Sequence, residues 1–486
     1  MNKISCFLPY AGKEQVEKTV NSLQATGLIE EIRLITTDTT LESLPGCEIL
    51  FVDMPYSSAT LKAIANAAKG EYTLLYTKET TLEMGMFALE RMIHILEDSS
   101  AGMVYADHYQ IADGKQSNAP VIDYQFGSLR DDFNFGSLLL FNTEKLKEAA
   151  GHMKSDYNFA GLYDLRLKLS QHSDLVHINE YLYSEVENDT RKSGEKIFDY
   201  VDPKNRDRQI EMEQACTEHL KEIGGYLAPE FKKIEFSAGN FEYEASVIIP
   251  VRNRIRTIRD AIKSVLMQKT DFKYNLIIID NHSTDGTTEA IDEFKDDERL
   301  IHIVPERNDL GIGGCWNVGV HHPKGGKFAV QLESDDVYKD ENTLAIMVRA
   351  FYEQNCAMVV GTYMMTDFNM NMIAPGIIDH KEWTPANGRN NALRINGLGA
   401  PRAFYTPVLR EVKVPNTSYG EDYALGLNFS RQYQIGRVYD VVYLCRRWDD
   451  NSDASLDIVK MNGHNLYKDR IRTWELQARI AMNKNK

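Results

Sequence analysis

The sequence predicts an α/β protein in which one domain occurs twice in tandem. Three observations carry this. Short apolar runs alternate with segments of helical periodicity, several segments recur in the same order in both halves, and the matching strands end in acids. Alternation of strand and helix implies βαβ units and a mainly parallel sheet.

In the second half, Ala245–Pro250 is an apolar run stopped by proline and reads as a buried strand. Ile258, Ile262, Val265 and Leu266 repeat at helical spacing up to Leu266. Leu276–Asp280 is a second buried strand, Asn281–Gly286 is turn chemistry, and Thr287 opens a helix. The first half repeats this order with Ile4–Pro9, a helix over Val16–Leu23 and Ile32–Asp38. Gly70–Glu79 then matches Gly326–Asp335, and Gly161–Ser170 matches Glu421–Ser430. Five ordered matches argue for duplication. The expected boundaries are 1–187, a charged, partly helical connector at 188–242, a second domain at 243–452, and a helical basic tail at 453–486. In the connector, Pro203 stands near the start of a helix that runs to Ile223 and ends at Gly224-Gly225. In the tail, Tyr467, Ile471, Trp474 and Ala478 form a helical stripe. It packs on the protein or touches an anionic membrane surface peripherally.

A chain of 486 residues with 43% apolar and 26% charged residues holds two or three cored domains. A net charge of −16 argues against a general nucleic-acid binder. The six cysteines are scattered without CxxC spacing, so neither a zinc site nor a disulfide framework is signalled, and a cytoplasmic setting fits. The apolar run at the N-terminus is too short for a signal peptide, and no run of about 18 apolar residues would span a membrane.

The chemistry concentrates at Phe328–Tyr338, where an apolar run breaks into Glu333, Asp335 and Asp336. Crowded carboxylates repel, and a divalent cation between them relieves the cost. Such a cation usually takes phosphates as its other ligands, which points to a metal–diphosphate site at the carboxyl end of a strand. A solvated acidic turn is the plainer reading. Asp280, ending the second strand, can accept from a base N–H or a sugar hydroxyl, and a ribose-binding acid of a dinucleotide fold would look similar. The glycines of Gly311–Gly319 do not follow the first strand, which disfavours a dinucleotide-dependent oxidoreductase. Asp422 falls in the first turn of a helix, where the dipole keeps it ionised.

Taken in order, Val247–Asn253, Ile279–Gly286, Asn308–Gly319, Leu332–Asp336 and Gly420–Tyr423 resemble the motifs of family 2 glycosyltransferases. The resemblance covers roughly 245–450. It implies a GT-A fold, a Rossmann-like α/β domain that binds nucleotide-diphospho-sugars, with the first half a degenerate second copy. It implies an inverting, metal-dependent transfer in glycan synthesis, with Mn²⁺ or Mg²⁺ as cofactor. The nucleotide would lie against Pro250, Arg252, Asp280, Asn317, Glu333 and Ser334. Asp335, with Glu333, would hold the metal, and Asp422 would be the general base. Gly399, Ala400, Arg402 and Glu421 would line the acceptor side, for a glycan or lipid-linked saccharide. Three departures stand out: Glu333 stands for the first Asp of the family's Asp-x-Asp, Trp316 occupies a place where a basic residue is common, and Trp448 the place of a metal-binding histidine. The enzyme would be cytoplasmic or peripheral at the inner membrane face, with oligomerisation possible.

In the first half, Thr77-Lys78-Glu79 replaces the acidic triplet, while Asp38 and Asp164 are expected at the base-binding and general-base places. That half is expected to serve packing, acceptor holding or dimerisation. A second active site over Asp38, Glu79 and Asp164, giving a bifunctional polymerase, is the alternative, as is a non-catalytic sugar-nucleotide-binding scaffold.

Overall fold

A computed structural model describes residues 3–42, 44–186, 205–237, 239–448, 451 and 456–485. Pro203, with the rest of 188–204 in the connector, and 453–455 at the start of the tail lie outside the described residues. The chain divides into two compact units, one of residues 1–226 with 455–486 and one of 227–454.

Among the described residues the first unit has nine strands: β1 (Ile4–Pro9), β2 (Ile29–Thr36), β3 (Glu48–Phe51), β4 (Tyr72–Tyr76), β5 (Leu82–Met84), β6 (Met103–Ala112), β7 (Lys115–Ala119), β8 (Leu138–Asn142) and β9 (Leu175–Val186). They order as β3-β2-β1-β4-β8-β6-β9-β5, with β7 on β6. Side chains of a strand alternate between faces, so a sheet covered on both sides needs apolar residues at every position. Ile4, Cys6 and Leu8 of β1 accordingly enter one core with Val16, Val20 and Met92, while Phe7 enters another with Leu61, Ile64 and Leu165.

The second unit repeats the plan with β10 (Ala245–Val251), β11 (Tyr274–Asp280), β12 (Leu300–Ile303), β13 (Phe328–Gln331), β14 (Val337–Tyr338), β15 (Met358–Thr366), β16 (Met372–Ile378), β17 (Arg402–Tyr405) and β18 (Ile435–Arg446). Its order is β12-β11-β10-β13-β17-β15-β18-β14, with β16 on β15. Adding nine to each strand number converts one sheet into the other. The sheets are mixed rather than mainly parallel: β10–β13 and β10–β11 run parallel, whereas β17 is antiparallel to both β13 and β15. The first unit has the same directions at β1–β4, β1–β2, β4–β8 and β6–β8. Even a connecting detail recurs: Ser5 Oγ accepts from the Gly70 amide at 2.8 Å and Ser246 Oγ from the Gly326 amide at 2.7 Å.

Two further helices among the described residues belong to the first unit. Arg206–Glu222 packs on Gly161–Ser170 through Lys168–Glu222 at 2.6 Å, and Gly224 follows with φ of 77°. Helix Ile458–Lys484 buries Ile471 and Leu476, but Trp474 of the expected stripe is exposed. The stripe fails because charged residues take the inner face in self-neutralising pairs: Arg472 with Asp469 at 2.9 Å and Arg479 with Glu475 at 2.7 Å.

Candidate active site

The carboxyl ends of β10, β11 and β13 meet at one edge of the second unit's sheet. Pro250 is buried within β10, and Arg252 beyond it is exposed. The loop past β10 is tied to the loop past β11: Asn253, at φ of 55°, accepts from the Thr284 amide at 2.8 Å, and Asp285 accepts from the Ile255 amide at 3.1 Å. Asp280 is fully buried. Its oxygens accept from the Ser283 amide at 3.0 Å and Thr288 Oγ1 at 2.5 Å, and His302 Nε2 lies 3.6 Å away. Burial pushes this carboxyl up, but the nearby His302 imidazole and the bonds from Ser283 and Thr288 outweigh it and hold the group well below the usual range. Asp280 therefore organises its own loop.

Asn317 and Trp316 also act within the fold. Asn317 Nδ2 donates to Val414 O at 2.7 Å and its Oδ1 accepts from the Val414 amide at 3.0 Å, so both ends of the amide are spent on main chain. Trp316 is buried edge-to-face on Phe404, with centroids 6.0 Å apart. Gly313, on the same helix Ile312–Val320, lies so close to Pro415 O that an added Cβ would fall 1.8 Å from it. These contacts fix the segment leading into helix Glu421–Gln432.

The acidic loop after β13 splits into structural and open members. Asp336 is buried and has both oxygens used, by the Arg446 amide at 2.7 Å and Tyr443 Oη at 2.8 Å. Burial, then the charge of Asp335, pushes its carboxyl well up. Ser334 is buried, and its carbonyl accepts from Thr257 Oγ1 at 2.9 Å. Glu333 is raised by burial and by the charges of Asp335 and Asp422, against the opposing charge of Arg402. Its Oε1 accepts from Gln331 Nε2. Asp335 Oδ2 faces Asn451 Nδ2 at 3.4 Å, Trp448 Nε1 at 3.5 Å and Arg254 Nε at 3.8 Å. Among the described residues, Glu333 Oε2 and Asp335 Oδ1 have no protein partner. The two acids expected to hold a metal thus each keep an oxygen in reserve. No group of three or more His, Cys, Asp or Glu side chains stands together as a full cation cage among the described residues. A partial shell of two carboxylates fits a hard cation that takes its remaining ligands from phosphates. Trp448 cannot ligate; its ring covers the Arg256 guanidinium at 4.8 Å instead.

Helix Glu421–Gln432 starts beside these acids. Arg402, on β17, donates from Nη1 to Asp422 Oδ2 at 2.7 Å and to Leu398 O at 2.8 Å. The Tyr423 amide donates to Asp422 Oδ1 at 2.7 Å. Glu421 has a buried Oε2 without a hydrogen-bond partner, and burial followed by the Asp422 charge pushes its carboxyl up to about 8. Electrostatic interaction links Glu333, Arg402, Glu421 and Asp422, so the fold gathers residues that stand up to 89 positions apart. Gly399 packs on His380, whose Nε2 would lie 2.8 Å from an added Cβ; no side chain fits there. Ala400 precedes Pro401 in the same turn.

Sequence reasoning missed Gln331, Arg254, His302 and Tyr443. Gln331 and His302 were legible in principle, as polar residues inside apolar strands. Arg254 and Tyr443 carry no comparable signal.

The first unit does not repeat the site. Register aligns Pro9 with Pro250 and hence Thr36, not Asp38, with Asp280. Asp38 is exposed two residues later, accepting from the Thr40 amide at 2.9 Å. Glu79 does align with Asp335, but it is exposed, and Lys78 beside it pairs with buried Glu185 at 2.6 Å. Helix Gly161–Ser170 aligns with Glu421–Gln432, because Tyr163 and Tyr423 each donate from the third position to a carbonyl, of Leu129 and Ala392 respectively. Leu162 then replaces Asp422, and Leu139 replaces Arg402 through the β4–β8 register. Asp164 belongs one turn-face away, buried 3.8 Å from Lys168 and raised by burial to about 6. The expectation of a second base at Asp164 is corrected: spacing alone could not separate positions 162 and 164.

Residues 246–403, within the second unit, match the model of glycosyl transferase family 2. This is the family that the ordered motifs resemble. Among curated relatives, an uncharacterized glycosyltransferase of Rickettsia felis is 36% identical over 198 residues, covering 40% of this chain and 31% of that protein. The putative teichuronic acid biosynthesis glycosyltransferase TuaG of Bacillus subtilis is 29% identical over 126 residues, covering 26% of this chain and 49% of that protein. The chain thus spans less than half the length of either relative. Residues 1–349 of S. aureus TarS, solved with UDP-GlcNAc, align at 19% identity with a TM-score of 0.38, covering 49% of this chain and 72% of that one.

Proposed function

We propose that the second unit is an inverting glycosyltransferase that moves a sugar from a nucleotide-diphospho-sugar to an acceptor hydroxyl in glycan synthesis. The observation that carries this is the grouping of Glu333, Asp335, Arg402 and Asp422 at one sheet edge of a family 2 domain. Arg402 and the Tyr423 amide hold both Asp422 oxygens, which fixes the carboxylate's direction. A carboxylate so held takes the acceptor's proton late in the displacement. One base opposite a leaving diphosphate gives in-line attack and inversion at the anomeric carbon. Asp335 and Glu333 would hold Mn²⁺ or Mg²⁺ through their open oxygens, and the cation would offset charge growing on the leaving diphosphate. The acceptor is a glycan or lipid-linked saccharide. Among the described residues no helix is long and apolar enough to cross a membrane.

The test is Asp422→Asn, assayed by nucleotide release from a panel of nucleotide-sugars with acceptor present. Turnover falls by about 10²–10⁴-fold with donor affinity retained. Near-normal turnover would remove Asp422 from the mechanism.

A further inference from the structure

The first unit holds a cavity of ≈ 270 Å³ in the place where the second unit has its charged cleft. Leu139 and Leu162, the counterparts of Arg402 and Asp422, both line it. Tyr56, also in its wall, donates to Thr77 O at 2.7 Å, and Thr77 is the counterpart of Glu333. The duplicated position has thus kept a hollow and lost its catalytic charges.

The charge has also changed sign. Arg166, buried to 6% exposure, lines this cavity at the position of Gly426. Its guanidinium lies 4.7 Å from the Tyr163 ring and 5.5 Å from Phe135, and it donates to Ser128 O at 2.8 Å and to Arg130 O. Among the described residues it makes no ion pair. The neighbouring acids are committed elsewhere, Asp132 and Asp469 to Arg130, Asp164 and Glu222 to Lys168. Arg208 is exposed at the mouth, and among the described lining residues the one acid, Asp131, accepts from Gln209 Nε2 at 3.5 Å. A buried guanidinium without a counter-charge is costly, and an anion delivered by a ligand relieves the cost. Phe133 and Phe135, 4.5 Å apart, and the 40%-exposed Phe159 supply flat apolar faces.

We infer that this cavity binds a single sugar ring bearing an acidic group, with the ring on the aromatic faces and the anion toward Arg166 and Arg208. Pockets for drug-sized ligands run to about 300–1,000 Å³, so this one suits a monosaccharide and excludes a whole nucleotide diphosphate. The choice of a sugar rests on the glycosyltransferase reading; the choice of an anion rests on the arginines alone. The acid can be a uronate carboxylate or a sugar phosphate.

The test titrates the full chain with glucuronate, glucose 1-phosphate, glucose and UDP, read by calorimetry. Either acidic sugar binds at one site per chain, glucose binds at least about tenfold more weakly, and the preferred acid identifies the source. Arg208→Glu and Phe159→Ala, both at the exposed rim, weaken acidic-sugar binding about tenfold and leave nucleotide-sugar turnover unchanged. Equal binding of glucose, displacement of the acidic sugar by UDP, or no effect of either variant would overturn the inference. Asp422→Asn, which stops transfer, leaves this binding intact, so loss of the transferase reading and loss of this one are separately visible.

Discussion

At the residue scale the site depends on how three acids share one arginine. Arg402 touches Asp422 directly and acts electrostatically on Glu333 and Glu421. Arg402→Gln removes the charge while keeping a donor. Turnover is expected to fall by about 10²-fold with the donor KM nearly unchanged, because the lost contact orients the proposed base, Asp422. A raised KM at unchanged kcat would instead place Arg402 in donor binding. Glu421 gives a pH signature. Its carboxyl is raised by burial and by Asp422 to about 8, above its value in the unfolded chain. A raised acid favours the folded state while protonated, so its contribution is complete below the unfolded value and is lost as pH rises through about 8. The melting temperature of the wild type should therefore decline from pH 5 to 9 more steeply than that of Glu421→Gln, which cannot ionise; parallel slopes would refute this. Motif order made legible that Asp335 and Asp422 belong to one cluster, joined electrostatically through Glu333. The errors at Asp38 and Asp164 arose because register, which a one- or two-residue slip changes entirely, is set by strand partners that the sequence does not name.

Elements were legible where their pattern is local. Helix Ile258–Leu266 and strands Ala245–Val251 and Tyr274–Asp280 fall within a residue or two of the sequence reading. The long helix Ile458–Lys484 was legible as a helix but not by its buried face, since apolar periodicity cannot report a face built of ion pairs. That face turns on Asp469, fully buried, which accepts from Ser128 Oγ at 2.9 Å and from Arg472 at 2.9 Å and lies 3.3 Å from Arg130 Nε. Gly127 lets the helix approach: an added Cβ would sit 2.1 Å from the Thr473 amide nitrogen. Asp469→Ala should lower stability by about 3–5 kcal/mol, since it leaves two buried guanidiniums facing each other. Denaturant unfolding measures this, and a loss under about 1 kcal/mol would show that solvent replaces the carboxylate.

At the scale of the whole chain, a shared strand order with different side chains at the matching positions makes a countable prediction. The two sheets share strand order and direction, so fold alone would predict two equal donor sites. The side chains argue otherwise. Where the second unit places Glu333, Asp335, Arg402 and Asp422, the first places Thr77, exposed Glu79, Leu139 and Leu162, and its Lys78 is held by Glu185. Neither a cation shell nor an oriented base can be assembled from that set. Calorimetric titration with Mn²⁺ and the turned-over nucleotide-sugar should give one donor per chain. Asp335→Asn should remove that metal-dependent binding entirely, because among the described residues the pair of open carboxylates proposed to hold a diphosphate-bound cation stands in the second unit. A stoichiometry of two, or half the binding surviving Asp335→Asn, would mean that the first unit holds a nucleotide by contacts other than those its sister uses.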